Sequence, residues 1–542
     1  GPNAVSEGLS DNDYARLHLA TPLEDYLLEQ ARRGRSIVLT GNAGDGKTHL
    51  ARTLRYRLGE DAARFVFEYD ATAVMTSQHG VAPIVDAWQR AANDDKGMVL
   101  AINQYPLHML RPKLRNALPA VSEEIERQWQ VRLQVEPLGE SSNPDELLLV
   151  DLSLRNPLSQ QFAKRVLNRM LESPAVRRHA ASHADPNFSL NFRCLSHAEV
   201  QTRLFHLFRR VVSAGGRATI RELWILCARL LFGTGSKADI PGSHRAWYSD
   251  RLFELDPRFP LTGALCRVAD PAGVSHPQID RRLEDPRGTR AVDWLIDGEP
   301  PDPPPSPVAA VGGTSHDRER HRARFAARKR RFYFEHVDGA EERVFALDDR
   351  AHARFHRMLQ TDIRDAEYRR DLIEAINRCY IPHNFDGIRD KLCLWIGHRL
   401  DEQPTKSFVA SECIPLGRLA LRRPAPPAAL RDNLDYVPDH LLLCHVTPGG
   451  GVSQELSLRV DPALFETLWS IKAGLPRHLI NPGELNRLDT FVDRLRSTSP
   501  APDPLAEFLI YNAEHVASSA VRLSGDRARY DQVDRLHPEG GT

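Results

Sequence analysis

Short apolar runs alternate with amphipathic stretches along residues 20–170. Four runs rich in branched or aromatic residues predict strands, and each ends in a polar residue; the runs are 36–40, 64–70, 97–103 and 146–151. After the first run, Leu50, Leu54 and Leu58 recur every four residues, as expected for a helix that packs on a sheet. Strands that alternate with helices predict an α/β fold with a mostly parallel, doubly wound sheet.

The loop after the first strand, "GNAGDGKTHL" at 41–50, carries the most specific motif in the chain. It matches G-x-x-x-x-G-K-[ST]. In such a P-loop the backbone N–H groups surround phosphate oxygens, the lysine reaches the β- and γ-phosphates, and the hydroxyl binds Mg²⁺. We therefore predict that ATP and Mg²⁺ bind here. The predicted nucleotide-contacting residues are Gly41, Asn42, Ala43, Gly44, Asp45, Gly46, Lys47, Thr48 and His49.

Composition restricts the choice of partners. The 542 residues carry 72 basic and 72 acidic side chains, so no overall field attracts nucleic acid or a membrane surface, and DNA binding would need a local patch. No apolar run approaches the ~18 residues of a membrane span. The seven cysteines form no C-x-x-C pair, which argues against a zinc site or a disulfide framework. We expect a cytoplasmic protein without a membrane partner.

The order of the predicted elements narrows the class of P-loop protein. The chain has neither the N/T-K-x-D run of GTPases nor the LSGGQ-like signature of ABC ATPases. It resembles an AAA+ module, in which a P-loop, an Asn-tipped strand and one further strand precede a helical lid. The resemblance implies that Asn103 positions the attacking water and that Arg221, in "TIRELW", reaches the γ-phosphate. A solvent-exposed residue in the first turn of a helix is the alternative for Arg221.

The acidic pair that binds Mg²⁺ in that family is incomplete here. Asp70 and Asp151 are the candidates, and neither is followed by the glutamate that would activate water. We favour Asp70, together with Thr48, as the Mg²⁺ ligands because Asp70 ends a strand expected inside the sheet; a strand-end cap is the alternative for Asp70. Asn103-Gln104 is a third candidate, with amides in place of carboxylates. The missing glutamate predicts slow hydrolysis, or hydrolysis stimulated by a partner or by DNA.

A closer resemblance rests on five segments: "GNAGDGKTHL", "FEYDAT", "LAINQYPL", "DLSLRNPLS" and "RELWILCARLLFG". Together they resemble the DptF-type ATPases of DNA phosphorothioation-dependent restriction and related anti-phage ATPases, although only the P-loop is a specific motif. The resemblance implies a bacterial defence ATPase that works with partner proteins on foreign DNA, and it leaves a homo-oligomer open. A small-molecule kinase and a nucleotide-gated scaffold with little hydrolysis are the alternative functions.

Composition and periodicity divide the chain into four parts. They are a P-loop ATPase core (1–170), a helical lid with an irregular extension (171–299), a Pro-rich linker or loop (300–316) and a C-terminal helical and hairpin domain (317–542). In the last part, "HLLLCHVTPGGGVSQELSLRV" predicts a β-hairpin, and Asp461 is expected to cap the helix that follows. This long C-terminal region favours interaction surfaces over the compact architecture of a kinase.

A basic stretch, "RERHRARFAARKRR" at 318–331, begins the last part and holds eight Arg or Lys residues and one Glu. Phe325 and Phe332 are available to anchor it on a core. One hypothesis is that the stretch forms a helix face that contacts DNA phosphates. The alternative is that its arginines pair with acidic neighbours inside the fold or form a solvated helix face. Four arginines share one face in helical register: Arg320, Arg324, Arg328 and Arg331.

Overall fold

A computed structural model describes residues 18–75, 80–130, 132–133, 147–182, 185–232, 247–257, 259–284, 295–296, 315–338, 350–380, 390–396, 407–446, 452–498, 507–512, 517–524 and 529–536. Internal contacts divide the chain into two units. The first comprises Gly1–Asp348 and Ala425–Val437, and the second comprises Asp349–Pro424 and Pro438–Thr542. The basic stretch therefore belongs to the first unit, whereas the sequence placed it in a C-terminal domain that starts at 317.

The amino-terminal part of the first unit is built on four parallel strands in the order β2-β3-β1-β4. Its elements are α1 Pro22–Arg32, β1 Ser36–Thr40, α2 Lys47–Leu58, β2 Phe65–Glu68, α3 Ala71–Met75, α4 Ala82–Asn93, β3 Gly97–Ala101, α5 Gln104–Ala117, α6 Pro119–Gln130 and β4 Leu147–Asp151. The predicted α/β fold with a parallel sheet is confirmed. The strand before Asp70 was expected inside the sheet, but β2 lies at the edge of the four described strands.

Both faces of this sheet are covered by helices. Successive side chains of a strand point to opposite faces, so Ile37 and Leu39 pack with α1 and α2, while Val38 packs with α4, α5 and α6. All three are fully buried. Since helices occupy both faces, the carboxyl ends of the strands form the edge of the sheet at which a ligand can bind.

A helical layer completes the first unit. Its helices are α7 Gln160–Leu171, α8 Pro174–Ala181, α9 Pro186–Ser196, α10 Ala198–Ser213, α11 Ile220–Phe232, α12 Tyr248–Arg251, α13 Pro260–Val268, α14 Pro277–Glu284 and α15 Ser315–Glu335. They share one apolar core, which includes Leu223 of α11 and Phe332 of α15, and Phe325 packs at its edge. The two phenylalanines thus anchor the basic helix, as predicted. The predicted linker 300–316 lies outside the described residues except for its last two.

The second unit combines helices with antiparallel sheets. Its described elements are α16 Arg350–Gln360, α17 Asp365–Tyr380, β5 Lys391–Ile396, β6 Ser407–Pro415, β7 Leu419–Arg422, β8 Leu441–Val446, β9 Val452–Val460, α19 Pro462–Lys472, α20 Pro482–Thr498, β10 Glu507–Asn512, β11 Ala517–Ser524 and β12 Arg529–Leu536; α18 Ala428–Arg431 belongs to the first unit. The strands form two sheets, β12-β11-β10-β6-β5 and β7-β8-β9. The predicted hairpin is β8–β9, and the Asp461 carboxylate caps α19 by accepting from the Leu464 N–H at 3.0 Å. The description as mainly helical with one hairpin understates the sheet content.

Across the described part of the chain, no helix is long and apolar enough to cross a membrane.

Candidate nucleotide-binding site

The P-loop connects β1 to the first residue of α2. Gly44 and Gly46 have φ values of 98° and 91°, which side-chain-bearing residues rarely adopt. Gly46 precedes the helix and Lys47 begins it. The free N–H groups of the first turn and the positive end of the helix dipole therefore lie at the loop, where they favour an anion.

Lys47 is folded back into its own loop. Its Nζ donates to the Asn42 carbonyl at 2.6 Å, and the side chain is 8% exposed. Burial lowers the pKa of the Lys47 ammonium, and the nearby carboxylates of Asp45 and Asp70 oppose that effect. A lysine held by a single carbonyl can exchange this partner for phosphate oxygens without leaving the loop.

Asp45 places a carboxylate within the same loop. Its Oδ2 accepts from the Asn42 backbone N–H at 2.6 Å. Burial raises the pKa of Asp45 to about 6, while that hydrogen bond and the charge of Lys47 act in the opposite direction. The sequence motif includes Asp45 only as a variable position, so it gives no sign of this burial.

Thr48 and Asp70 offer oxygen atoms on the β2 side of the loop. The Thr48 hydroxyl donates to the Tyr69 carbonyl at 3.0 Å, which places it beside Asp70. One carboxylate oxygen of Asp70 accepts from the Ala73 N–H at 3.0 Å, so Asp70 caps the first turn of the helix α3. Among the described residues no cluster of three or more His, Cys, Asp or Glu side chains could hold a metal. Mg²⁺ usually takes one or two protein oxygens and completes its shell with phosphates and water, and Thr48 with Asp70 fits that requirement.

Asn103 follows β3, which pairs directly with the P-loop strand β1. Its backbone N–H donates to the Thr72 hydroxyl at 3.0 Å. The side-chain amide makes no hydrogen bond within the described residues. Asn103 therefore stands at the carboxyl edge of the strand next to the P-loop, with its amide available to a ligand.

Arg221 lies in the first turn of α11, directly beside the P-loop. Its backbone N–H donates to the Gly44 carbonyl at 3.1 Å. A Cβ atom at Gly44 would lie 3.1 Å from the Cβ of Arg221, so only glycine fits this approach without displacement. The helix start is fixed by reciprocal hydrogen bonds between Thr219 and Glu222. The positive charge of Arg221 also lowers the pKa of Lys47, which puts the two cations within electrostatic reach.

A distant part of the chain supports this region. Leu434 is buried in the same apolar core as Ile37 and Leu39 of the P-loop strand. The Asn156 N–H donates to the Asp435 carbonyl at 3.3 Å, and the buried Arg155 guanidinium lies 3.9 Å from the Asp435 carboxylate. No local pattern in the sequence links these residues, which are almost 280 positions apart in the chain.

Some of the basic side chains of the helix α15 are buried inside the fold. Arg331 is buried, and its Nε lies 2.8 Å from the Glu335 carboxylate. Arg328 donates to the Leu283 carbonyl at 2.7 Å. Arg324 is half-buried, and the Arg320 side chain lies outside the described residues. Arg331 is therefore not on an exposed face in this structure, and the expectation that all four arginines share one does not hold for it.

Comparison with known proteins does not identify the chain. No family model matches it, and no match was found among curated proteins or solved structures.

Proposed function

We propose that the chain is an AAA+-like ATPase that binds and hydrolyses ATP with Mg²⁺. The observation that carries the proposal is the convergence of four elements at one edge of the parallel sheet: the P-loop, the Asp70 turn, Asn103 and the start of α11 at Arg221. A P-loop alone binds phosphate, whereas polar side chains around the γ-phosphate position are what hydrolysis requires.

Each residue has one role in this proposal. The loop N–H groups and the α2 dipole hold the phosphates, and Lys47 exchanges the Asn42 carbonyl for β- and γ-phosphate oxygens. Thr48 and Asp70 would hold Mg²⁺, which would supply positive charge beside the phosphates. Asn103 aligns the attacking water, and Arg221 contacts the γ-phosphate.

The expected rate is low in the absence of a stimulus. Ala71 follows Asp70 and Leu152 follows Asp151, so no glutamate stands where the activating base of this class is expected. A partner protein or DNA would have to complete or align the catalytic groups. A slow basal turnover that rises on addition of DNA would support this feature of the proposal.

The wider role that we propose is in a bacterial defence or DNA restriction complex. There the nucleotide state would control assembly on foreign DNA or remodelling of it, in the cytoplasm and together with partner proteins or further copies of the chain. The support is the resemblance of the five segments quoted above to restriction-linked ATPases.

Lys47→Ala tests the core of the proposal, with Lys113→Ala as the matched control because Lys113 is exposed on α5. A ligand at 100 times its dissociation constant stabilises the folded state by about 2.7 kcal/mol. The wild type and Lys113→Ala should therefore melt at a higher temperature with ATP and Mg²⁺ and should release phosphate. Lys47→Ala should do neither while it keeps its circular dichroism spectrum. A full ATP-induced shift in Lys47→Ala would exclude the assignment of this loop.

A further inference from the structure

Gln104 joins three elements at the edge of the sheet. It follows Asn103 and is the first residue of α5. Its backbone N–H donates to the Gly41 carbonyl at 3.2 Å. Its side-chain Nε2 lies 3.1 and 3.2 Å from the two carboxylate oxygens of Asp151 and 2.8 Å from the Ser153 hydroxyl. Gln104, in the β3–α5 turn, therefore contacts both the start of the P-loop and the end of β4.

Asp151 is a buried carboxylate that is already occupied by donors. It is 3% exposed, and its Oδ1 also accepts from the Ser153 N–H at 3.0 Å and the Ser153 hydroxyl at 2.7 Å. The Arg132 Nε lies 3.4 Å from Oδ2. A buried carboxylate needs such partners, and both oxygens of Asp151 have them. Asp151 thus serves as an anchor for Gln104.

Asn103 is held from both sides by this arrangement. The Thr72 hydroxyl accepts from the Asn103 N–H on one side, and Gln104 is tied to Gly41 and Asp151 on the other. The Asn103 side chain has no hydrogen bond of its own in the described part of the chain. The position of its amide therefore depends on the position of its backbone, which Thr72 and Gln104 hold.

We propose that Gln104 is a positioning residue that, through Asp151, keeps the Asn103 amide aligned with the water that attacks the γ-phosphate. This inference rests on the proposed function. A displacement of about 1 Å at a reacting group can cost about 10²-fold in rate. Loss of the Gln104–Asp151 contact should therefore lower kcat strongly and leave ATP affinity nearly unchanged, because the loop groups that bind phosphate stay in place.

Gln104→Glu is the most informative variant, because it keeps the shape of the side chain and sets a second carboxylate against Asp151. Two carboxylates at hydrogen-bond distance cannot both ionise without a large cost, so one of them retains a proton at higher pH than usual. At pH 8 kcat should fall by about 10²-fold, and its ratio to the wild-type value should recover as the pH is lowered toward 6. Gln130→Glu is the matched control, since Gln130 is exposed and its Nε2 lies 2.9 Å from the Glu126 carboxylate. It should leave kcat and its pH profile unchanged.

In the double variant Gln104→Glu with Asp151→Asn, the hydrogen-bond donor and the acceptor of the contact exchange positions. The amide introduced at position 151 can donate to the carboxylate introduced at position 104, and its oxygen can still accept from Ser153. The double variant should regain at pH 8 most of the kcat that Gln104→Glu loses. Asp151→Asn alone keeps an acceptor for Gln104 and should retain most of the wild-type kcat.

Three results would overturn the inference. The first is a wild-type kcat for Gln104→Glu at pH 8, and the second is a double variant that is no faster than Gln104→Glu. The third is a decrease in kcat for Asp151→Asn as large as that for Asn103→Ala, which would mean that Asp151 acts in the chemistry itself. Parallel assays of Lys47→Ala separate this inference from the proposed function. If wild-type hydrolysis depends on Lys47 while Gln104→Glu is normal, only the inference fails; if no Lys47-dependent hydrolysis is found, both fail.

Discussion

Ionisation of Asp45 should control both the stability of the first unit and its affinity for ATP. The carboxylate is 5% exposed and accepts a 2.6 Å hydrogen bond from Asn42. Asp45→Asn keeps the side-chain shape and the acceptor oxygen but removes the negative charge. It is therefore a close mimic of the protonated acid, and Asp61→Asn, at an exposed aspartate, is its matched control.

The magnitude follows from the pKa. Burial raises the pKa of Asp45 from 3.8 to about 6, and each pKa unit corresponds to about 1.4 kcal/mol. Between about pH 4 and 6 the folded chain keeps a proton that the unfolded chain has released, so the free energy of unfolding falls as pH rises. Above pH 6 the folded state carries the full cost of the ionised group, about 3 kcal/mol. Asp45→Asn should remove this cost at pH 8 and make little difference near pH 4.

The same charge lies where phosphates are proposed to bind. An ionised Asp45 repels the triphosphate, so Asp45→Asn should bind ATP more tightly than the wild type at pH 8, and the difference should shrink as the pH falls below 6. Thermal unfolding without nucleotide from pH 5 to pH 8, followed by ATP titration at both ends of this range, measures the two effects. A stability difference that stays constant or decreases as pH rises would refute the reasoning, as would the same pH-dependent gain in Asp61→Asn.

Two further predictions concern hydrolysis and DNA. Asn103→Ala and Arg221→Ala should keep ATP binding in thermal-shift titrations and lose phosphate release, because both are assigned to the γ-phosphate or its attacking water; normal hydrolysis in both would place the P-loop in another architecture. If α15 contacts DNA, replacing Arg320, Arg324 and Arg328 by Ala should weaken binding evenly across sequences and flatten the slope of log affinity against log salt by roughly two to three, at about 0.9 per phosphate. An unchanged slope together with a lower melting temperature would assign these arginines to the fold, as the hydrogen bond from Arg328 into α14 favours.

The parts of the site that sequence could predict are those encoded locally. The loop is specified by glycines at fixed offsets, and its strand and helix by apolar periodicity, so Leu50, Leu54 and Leu58 are all buried as expected. The cap at Asp461 likewise depends on four consecutive residues. Each of these features is decided within one or two turns of chain, which is the range over which a sequence pattern carries structural information.

Features that depend on distant partners were beyond prediction. The edge position of β2 depends on strand order, which periodicity does not contain. The contact between Gln104 and Asp151 joins residues 47 positions apart. The charge of α15 is balanced by carboxylates far back in the chain, since Lys329 pairs with Asp280 and Arg330 with Asp270. A basic run read alone cannot distinguish such internal pairing from a phosphate-binding face, because both require the same residues.

The start of α11 gives the P-loop a direct mechanical link to the helical layer. The Arg221 N–H is bonded to the Gly44 carbonyl, and the helix continues into the core that also holds Phe332 of α15. A movement of the first turn of α11 toward phosphates in the loop would have to carry Gly44 with it or break that hydrogen bond. Packed cores do not deform continuously, so a shift of α11 would be passed on as a change in how the helices pack. If ATP binds as proposed, its occupancy of the loop would therefore be coupled to the arrangement of the helical layer through Gly44, where a Cβ atom would lie only 3.1 Å from the Cβ of Arg221.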